Sequence, residues 1–385
     1  MKTLHVLALW MLGSVFSGPL AANDILADAE ARIERYRMGE VVLRVIGPAG
    51  QPIPAGRRAR IEQTRHKFLF GSNIFMLGKG RRPAEDAAYK NYFANLLNYA
   101  TLPFYWWEYE PLAGQPNDAA TEAIVAWCRG HNVTAKGHPL AWNWEDPAWL
   151  PTDPTAAMRL QLGRIGECVA WFRGKVEVWD VVNEATHYDR PEPKAQAPLL
   201  TEAISRMGVR AYLRAAFKAA RTANAKAVLV INDYRTDSAY AERVISQLVD
   251  ESGRPLYDVI GIQSHQHSGA WPVAKIWEVC ERFAVFGKPL HFTETTFLSG
   301  KAGWDLKKKD PRFKWESTPE GEQRQGEEVT RFYTVLFSHP AVEAITWWDF
   351  ADQGAWRDAP AGLLRENMTP KPAYEALLRL IKGKW

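Results

Sequence analysis

Val178-Trp179-Asp180-Val181-Val182-Asn183-Glu184 is an apolar run interrupted once, by Asp180, and closed by an amide and a carboxylic acid. A short apolar run rich in β-branched residues reads as a buried strand. Similar runs lie on either side of it, each followed by a helical pattern. The candidate strands are 68–74, 99–104, 134–140, 176–182, 227–231, 259–263, 290–293 and 344–348. Helical patterns fill most gaps, for example 119–128, 211–223 and 322–336. Eight strands alternating with helices predict an α/β chain folded as a (β/α)8 TIM barrel. An open doubly wound sheet is the runner-up, but no G-x-G-x-x-G or G-x-x-x-x-G-K loop is present. Several runs end in polar groups: His138, Asn183-Glu184, Asn232-Asp233, Gln263 with His265, and Glu294. Barrel active sites lie at that C-terminal face of the strands.

The rest of the chain sets the frame. Its 385 residues suit one barrel plus an extension. A formal net charge of +4 is too weak a field to point to nucleic acid. The 17 tryptophans are many, and some are expected to line a cleft, because indole faces stack on sugar rings. Cys128, Cys168 and Cys280 show neither a disulfide framework nor zinc spacing and read as buried thiols. Residues 1–22 read as a signal peptide: Met1-Lys2, an apolar run from Leu4 to Phe16, then small residues. The expectation is a secreted or periplasmic monomer without stable membrane insertion, since the apolar run is shorter than a spanning helix. Residues 23–65 are expected to form an N-terminal helix (24–38) and a small β appendage. Its strand pair, 41–46 and 59–64, flanks a Gly/Pro-rich connection. The catalytic barrel is assigned to 66–385.

Two strand-end carboxylates, Glu184 on the fourth strand and Glu294 on the seventh, can flank a glycosidic bond. A separation of about 5–5.5 Å gives retention. The nucleophile has to be ionised and the acid protonated. With these residues in view, the chain resembles glycoside hydrolase family 10, the retaining endo-β-1,4-xylanases. Trp179 to Glu184 matches the family's W-D-V-V-N-E, which implies acid/base action by Glu184. Thr293-Glu294 matches its seventh-strand T-E, which implies a nucleophile at Glu294. Lys136 to Trp142 resembles K-G-H-T-L-V-W, implying sugar contacts from His138 and Trp142. Asn232-Asp233-Tyr234 resembles N-D-Y. Gly261 to His265 resembles G-x-Q-S-H, implying that His265 hydrogen-bonds the nucleophile and that Gln263 lines the site. Ile345 to Asp352 with Trp356 resembles the closing W-G-x-x-D-x-x-S-W, implying that Trp348 and Trp356 lie over the cleft. Asn183 is expected to hold the sugar 2-hydroxyl. The likeness spans roughly residues 65 to 380, and the substrate it implies is xylan or a xylooligosaccharide, with no cofactor and no metal.

Three departures from the pattern stand out. The family's second-strand E-N-x-x-K is replaced by Thr101-Leu102-Pro103-Phe104-Tyr105, which removes the charged and amide grips and puts Tyr105 at the sugar. Thr296 stands where the family has an Asp partner for the sixth-strand His, so His265 is expected to be less inclined to hold a proton. W-H-S-Q becomes Trp142-Asn143-Trp144-Glu145. Two other classes remain. A metal-dependent hydrolase could use His265-Gln266-His267, but it would need an H-x-H at the first strand, where Phe68-Leu69-Phe70 stands. A lapsed barrel that only binds sugar would retain the cleft and lose the reaction. Asp180 reads as a buried anchor, His267 and His291 as structural. The Pro/Ala-rich stretch 190–200 reads as a long loop that either shapes leaving-group subsites or only connects.

Overall fold

Eight parallel strands close in sequence order: β1 (Leu69–Asn73), β2 (Tyr99–Pro103), β3 (Thr134–His138), β4 (Val178–Asn183), β5 (Val228–Asp233), β6 (Val259–His265), β7 (Leu290–Thr296) and β8 (Val342–Trp347). This computed structural model describes residues 22–54, 56–58, 60–303, 306–310 and 312–385. The expected signal segment lies outside them except for Ala22. All eight expected strands form, but their C-terminal ends shift. β6 runs on to His265 and β7 to Thr296, so Glu294 sits inside its strand. β8 stops at Trp347, which leaves Trp348 just past the end.

Strand alternation sorts the side chains. Trp179 and Val181 join the main apolar core outside the sheet. Val178 points the other way and meets Tyr99, Val230, Val259 and Ala344 in a separate cluster, the lower plug of the barrel. Above it lies a charged layer: Lys136 Nζ donates to Asp180 Oδ2 at 2.8 Å, and His138 Nδ1 donates to the same oxygen at 2.6 Å. Burial works against the charge on Asp180, but Lys136 and His138 outweigh it and hold the carboxyl below its usual value. Asp180 is thus the anchor the sequence suggested.

Gly137 lies against the Trp179 ring. A Cβ added there would come within 2.3 Å of ring carbons Cε3 and Cζ3. The indole is fully buried and has no room to withdraw. Gly137→Ala is therefore expected to destabilise the chain by about 1–3 kcal/mol, read as a lower urea midpoint at unchanged slope.

The N-terminal helix forms as two pieces, Ala22–Ala27 and Ala29–Arg37, broken at Asp28. Ile25 and Ile33 join the main core. Arg37 donates to the carbonyls of Phe337 and Val342, both at 2.7 Å, so the helix caps the rim opposite the strand C-termini. The β appendage does not form. Among the described residues between 38 and 66 there is one isolated bridge, Ile46 with Pro52. Val42 is 97% exposed. The apolar residues there have no face to bury against, and a lone two-stranded ribbon is marginal in water. Ala59, where the second expected strand begins, lies outside the described residues.

The stretch 190–200 is helical rather than a loop: Pro191–Gln196 is one short helix and Pro198–Met207 another. A proline opens each, pre-set for the first helical position and with no N–H to leave unpaired. The three cysteines are buried and free. No helix among the described residues is long and apolar enough to cross a membrane.

Candidate active site

Glu184 is the first residue after β4. Its backbone is left-handed, with φ 58° and ψ 39°. That conformation is unusual for a non-glycine residue and persists where neighbouring bonds dictate it. They do so here. Asn183 N donates to Ala141 O at 2.9 Å, Glu184 N to Asn232 O at 2.9 Å, and Thr186 N to Asp233 Oδ2 at 2.9 Å. The turn aims the Glu184 carboxyl over the barrel mouth, toward Gln263.

Glu294 comes from inside β7. Asn232 Nδ2 donates to its Oε1 at 2.9 Å, and His265 Nε2 lies 3.0 Å from its Oε2. His138 Nε2 stands 3.9 Å from Oε1. The two carboxylates are joined by one chain of amides. Gln263 Nε2 donates to Glu184 Oε1 at 3.1 Å and to Asn183 Oδ1 at 3.2 Å. Asn232 Nδ2 donates to that same Asn183 oxygen at 2.9 Å as well as to Glu294. Thr293 Oγ1 in turn donates to Asn232 Oδ1 at 2.6 Å and fixes which way the Asn232 amide faces. With its oxygen doubly engaged, Asn183 has its NH2 group to offer a ligand.

Burial pushes the Glu294 carboxyl up to about 7. His138 opposes this, and the charge of Glu184 adds to it. Burial also brings the His265 imidazole down to about 3, so the ring is neutral. The direction matches the sequence expectation, although burial is the main cause. A neutral ring beside a carboxylate places its proton on Nε2. Nδ1 then accepts from the Thr296 hydroxyl at 2.8 Å. Thr296 thus takes the place left by the missing acid as a donor. His267 and His291 are likewise held neutral by burial, at about 2 and about 3.

Aromatic rings wall the mouth. Trp348 stands edge-on to His138 at 5.4 Å and to His265 at 5.8 Å, and Trp356 lies 4.9 Å from the His265 ring. Tyr105 meets His138 at 5.6 Å and Trp142 at 5.9 Å. Trp142 stacks on Trp144 at 5.0 Å. Every site residue expected from the sequence is therefore gathered here: Glu184, Glu294, Asn183, His265, His138, Trp142, Gln263, Trp348, Trp356 and Tyr105. Of the two neighbouring indoles, Trp106 is buried against Trp149 and donates to Glu110, while Trp107 stays beside Tyr105 and Trp142. Sequence reasoning passed over Asn232 as a link between the carboxylates, although the N-D-Y likeness marked it. It also passed over Arg190, whose guanidinium pairs with Glu184 Oε2. Among the described residues no three His, Cys, Asp or Glu side chains converge as a metal cage would require.

A pair of buried carboxylates at the C-terminal rim of a (β/α)8 barrel, linked by amides and walled by indole rings, defines a glycoside hydrolase. The chain belongs to glycosyl hydrolase family 10, whose family model matches residues 83–380. Endo-1,4-beta-xylanase B of Thermotoga neapolitana is 27% identical over 335 residues, covering 82% of this chain and 88% of that one. The anti-sigma-I factor RsgI6 of Acetivibrio thermocellus is 25% identical over 373 residues, covering 94% of this chain. The chain spans only 43% of that relative's length. Among solved structures, native xylanase 10B from Thermotoga maritima superposes with a TM-score of 0.65 at 24% identity, over 83% of this chain and 96% of that one. At that identity the likeness speaks for the fold.

Proposed function

We propose that the chain is an exported, monomeric, retaining β-glycosidase that hydrolyses β-1,4-xylan or related xylooligosaccharides by double displacement. The observation that carries this reading is the amide chain from Glu184 through Gln263, Asn183 and Asn232 to Glu294. It holds two carboxylates in one mouth with different surroundings. Glu294 Oε2 attacks the anomeric carbon as the bond to the leaving oxygen breaks, and Glu184 gives that oxygen a proton. Glu184 then takes a proton from water, whose oxygen displaces Glu294 and restores the free carboxylate. The Asn183 amide donates to the 2-hydroxyl, a bond that strengthens as positive charge grows on the ring. His265 Nε2–H and Asn232 Nδ2–H hold Glu294 in line for attack.

A second reading, a β-glycosidase acting on small aryl or alkyl glycosides, is favoured by β2. Leu102 is buried in the core there, and Tyr105 stands with Phe75, Trp107 and Trp142 where the family grips a second sugar with polar groups. An aromatic wall offers stacking without hydroxyl selection. Hydrolysis of glucuronoxylan, arabinoxylan and a panel of aryl β-glycosides, with products resolved by size, separates the readings. Internal cuts in xylan that vanish in Glu294→Ala support the first. Release from small glycosides alone supports the second. Sugar binding with no release from any substrate would overturn both in favour of a lapsed barrel.

The elevated Glu294 has a kinetic consequence. For an aryl xyloside whose leaving group needs no proton, attack needs only the Glu294 carboxylate, so kcat/KM is expected to fall about tenfold per unit as pH drops below about 7, the acid limb reporting the free enzyme. An acid limb near the ordinary glutamate value would show that the empty site is less desolvating than its burial implies.

A further inference from the structure

Among the described residues Arg190 is the one Lys or Arg paired with either Glu184 or Glu294, and the reaction as derived gives it no task. It stands just past the turn Ala185–His187 and reaches back to Glu184 Oε2. Its guanidinium lies 5.6 Å from the Trp144 ring centre and 5.2 Å from that of Tyr234, held between rings from the loops after β3 and β5. His187 Nδ1 lies 2.9 Å from Tyr234 Oη and braces that ring. Arg190 Nη1 also reaches His187 O at 3.5 Å, and Glu192 Oε2 lies 3.9 Å from Arg190 Nε. The Arg190 side chain is 19% exposed, buried enough to be desolvated yet open enough to meet a ligand.

The two oxygens of Glu184 face different ways. Oε1 takes the Gln263 amide and belongs to the chain leading to Glu294. Oε2 takes Arg190. With donors on both oxygens, Glu184 is arranged as a carboxylate. To hand over a proton it has to be rid of one donor, and the Gln263 amide is locked between Glu184 and Asn183. Arg190, on a short turn and one rotamer-rich side chain, is the donor that can leave. What draws a guanidinium from one carboxylate most readily is another carboxylate. The ligand entering beside Oε2, away from Glu294, is the leaving group. Arg235 and Arg243 also lie near, with Asp189 opposing them at His187 and Arg235 paired with Asp237. His187 is pushed below its ordinary value first by burial and then by Arg235, Arg243 and Arg190.

We propose that Arg190 selects leaving groups that carry a carboxylate, exchanging Glu184 for the ligand's acid while Trp144 and Tyr234 stack on the adjoining ring. The exchange has two effects: the anionic leaving group is bound, and Glu184 Oε2 is freed to hold the proton it delivers. The assignment rests on the reading of Glu184 as acid/base only for the side from which the ligand enters. The carboxylate has two sources, a uronic acid branch on a xylan chain or an aromatic acid joined directly as aglycone. Stacking rings accept either.

The test is calorimetric binding to Glu294→Gln, in which nothing turns over, with Arg190 intact or replaced by Gln. Two matched pairs of probes are used. The first is 4-carboxyphenyl β-xyloside and its carboxamide. The second is a glucuronic-acid-bearing xylotriose and its carboxyl-reduced form. With Arg190 intact, the acid of at least one pair is expected to bind about tenfold more tightly than its neutral partner. In Arg190→Gln the ratio falls to about one, while the neutral probe still binds and so reports an intact fold. The pair that shows the ratio names the source. No preference in either pair, or a preference that survives Arg190→Gln, overturns the proposal. Inertness of the unsubstituted chain toward every glycoside would instead overturn the hydrolase reading, and the binding ratio would still stand or fall by itself.

Discussion

Glu294→Ala is expected to lower kcat/KM on an aryl β-xyloside by on the order of 10^4-fold or more, because in the proposed mechanism Glu294 forms the bond to the anomeric carbon. A small added nucleophile such as azide should restore turnover through the vacated space and give a glycosyl azide of inverted configuration. In Glu294→Gln, which keeps the side-chain volume, loss of activity should come without loss of stability. Burial raises Glu294 to about 7 from an ordinary 4.5, so ionising it in the folded chain is unfavourable. The sign is that of a raised carboxyl. Its contribution to folding is fully present below the unfolded value and is lost as pH rises through the folded one. Relative to wild type, Glu294→Gln is therefore expected to gain stability between roughly pH 4.5 and pH 7 and to hold a constant advantage above. The scale is about 3 kcal/mol at most, from the size of the shift. Denaturant titrations of both chains at pH 4, 6 and 8 measure it. A gap that does not widen with pH would mean that the carboxylate is better solvated than its surroundings suggest.

The second large effect belongs to the charged layer under the site. Lys136 and Asp180 are both fully buried, and the ammonium donates to that carboxylate at 2.8 Å. Lys136→Met leaves Asp180 buried with only His138 to meet it, and Asp180 Oδ1 already has no hydrogen-bond partner among the described residues. Removing one partner of a buried pair costs about 3–5 kcal/mol, whereas removing both costs much less. Lys136→Met is thus expected to unfold at a markedly lower urea concentration, and adding Asp180→Asn is expected to recover most of the loss. The coupling between the two substitutions is the readout. Near-additive losses would show that the ion pair contributes little and that shape alone holds the layer. Activity should follow in the single mutant, because Asp180 orients the His138 ring, whose far nitrogen lies 3.9 Å from Glu294.

The barrel was legible because its strands are short apolar runs that stop at polar residues, and a parallel sheet buried on both faces writes itself that way. The strand ends were less legible. Thr295 and Thr296 continue β7 past its apolar part; their β-branched side chains suit a strand, but their hydroxyls lie beyond the apolar run by which the strand is read. The carboxylates and their immediate neighbours could be read from strand-end position together with the family likeness. The Asn232 link could not, since it depends on an amide orientation set by Thr293 from another strand. Arg190 was hidden for a related reason. Its stretch reads as a proline-rich loop that either shapes leaving-group subsites or only connects, and its approach to Glu184 depends on where the rings of Trp144 and Tyr234 place it. The strand pair expected at 41–46 and 59–64 failed in the opposite way. Its β-branched residues favour strands, but a strand pair without a surface to cover does not make a sheet.

In the proposed reaction Glu294 becomes covalently attached to the sugar. A 2-deoxy-2-fluoro-β-xyloside with a good leaving group should trap that species, since the fluorine slows both steps and the activated aglycone restores the first. Proteolysis and mass spectrometry then locate the label. The expected result is one fluorosugar on the peptide containing Glu294, absent from Glu294→Gln. A label on Glu184 or elsewhere, or turnover of the probe with no label at any time point, would contradict it.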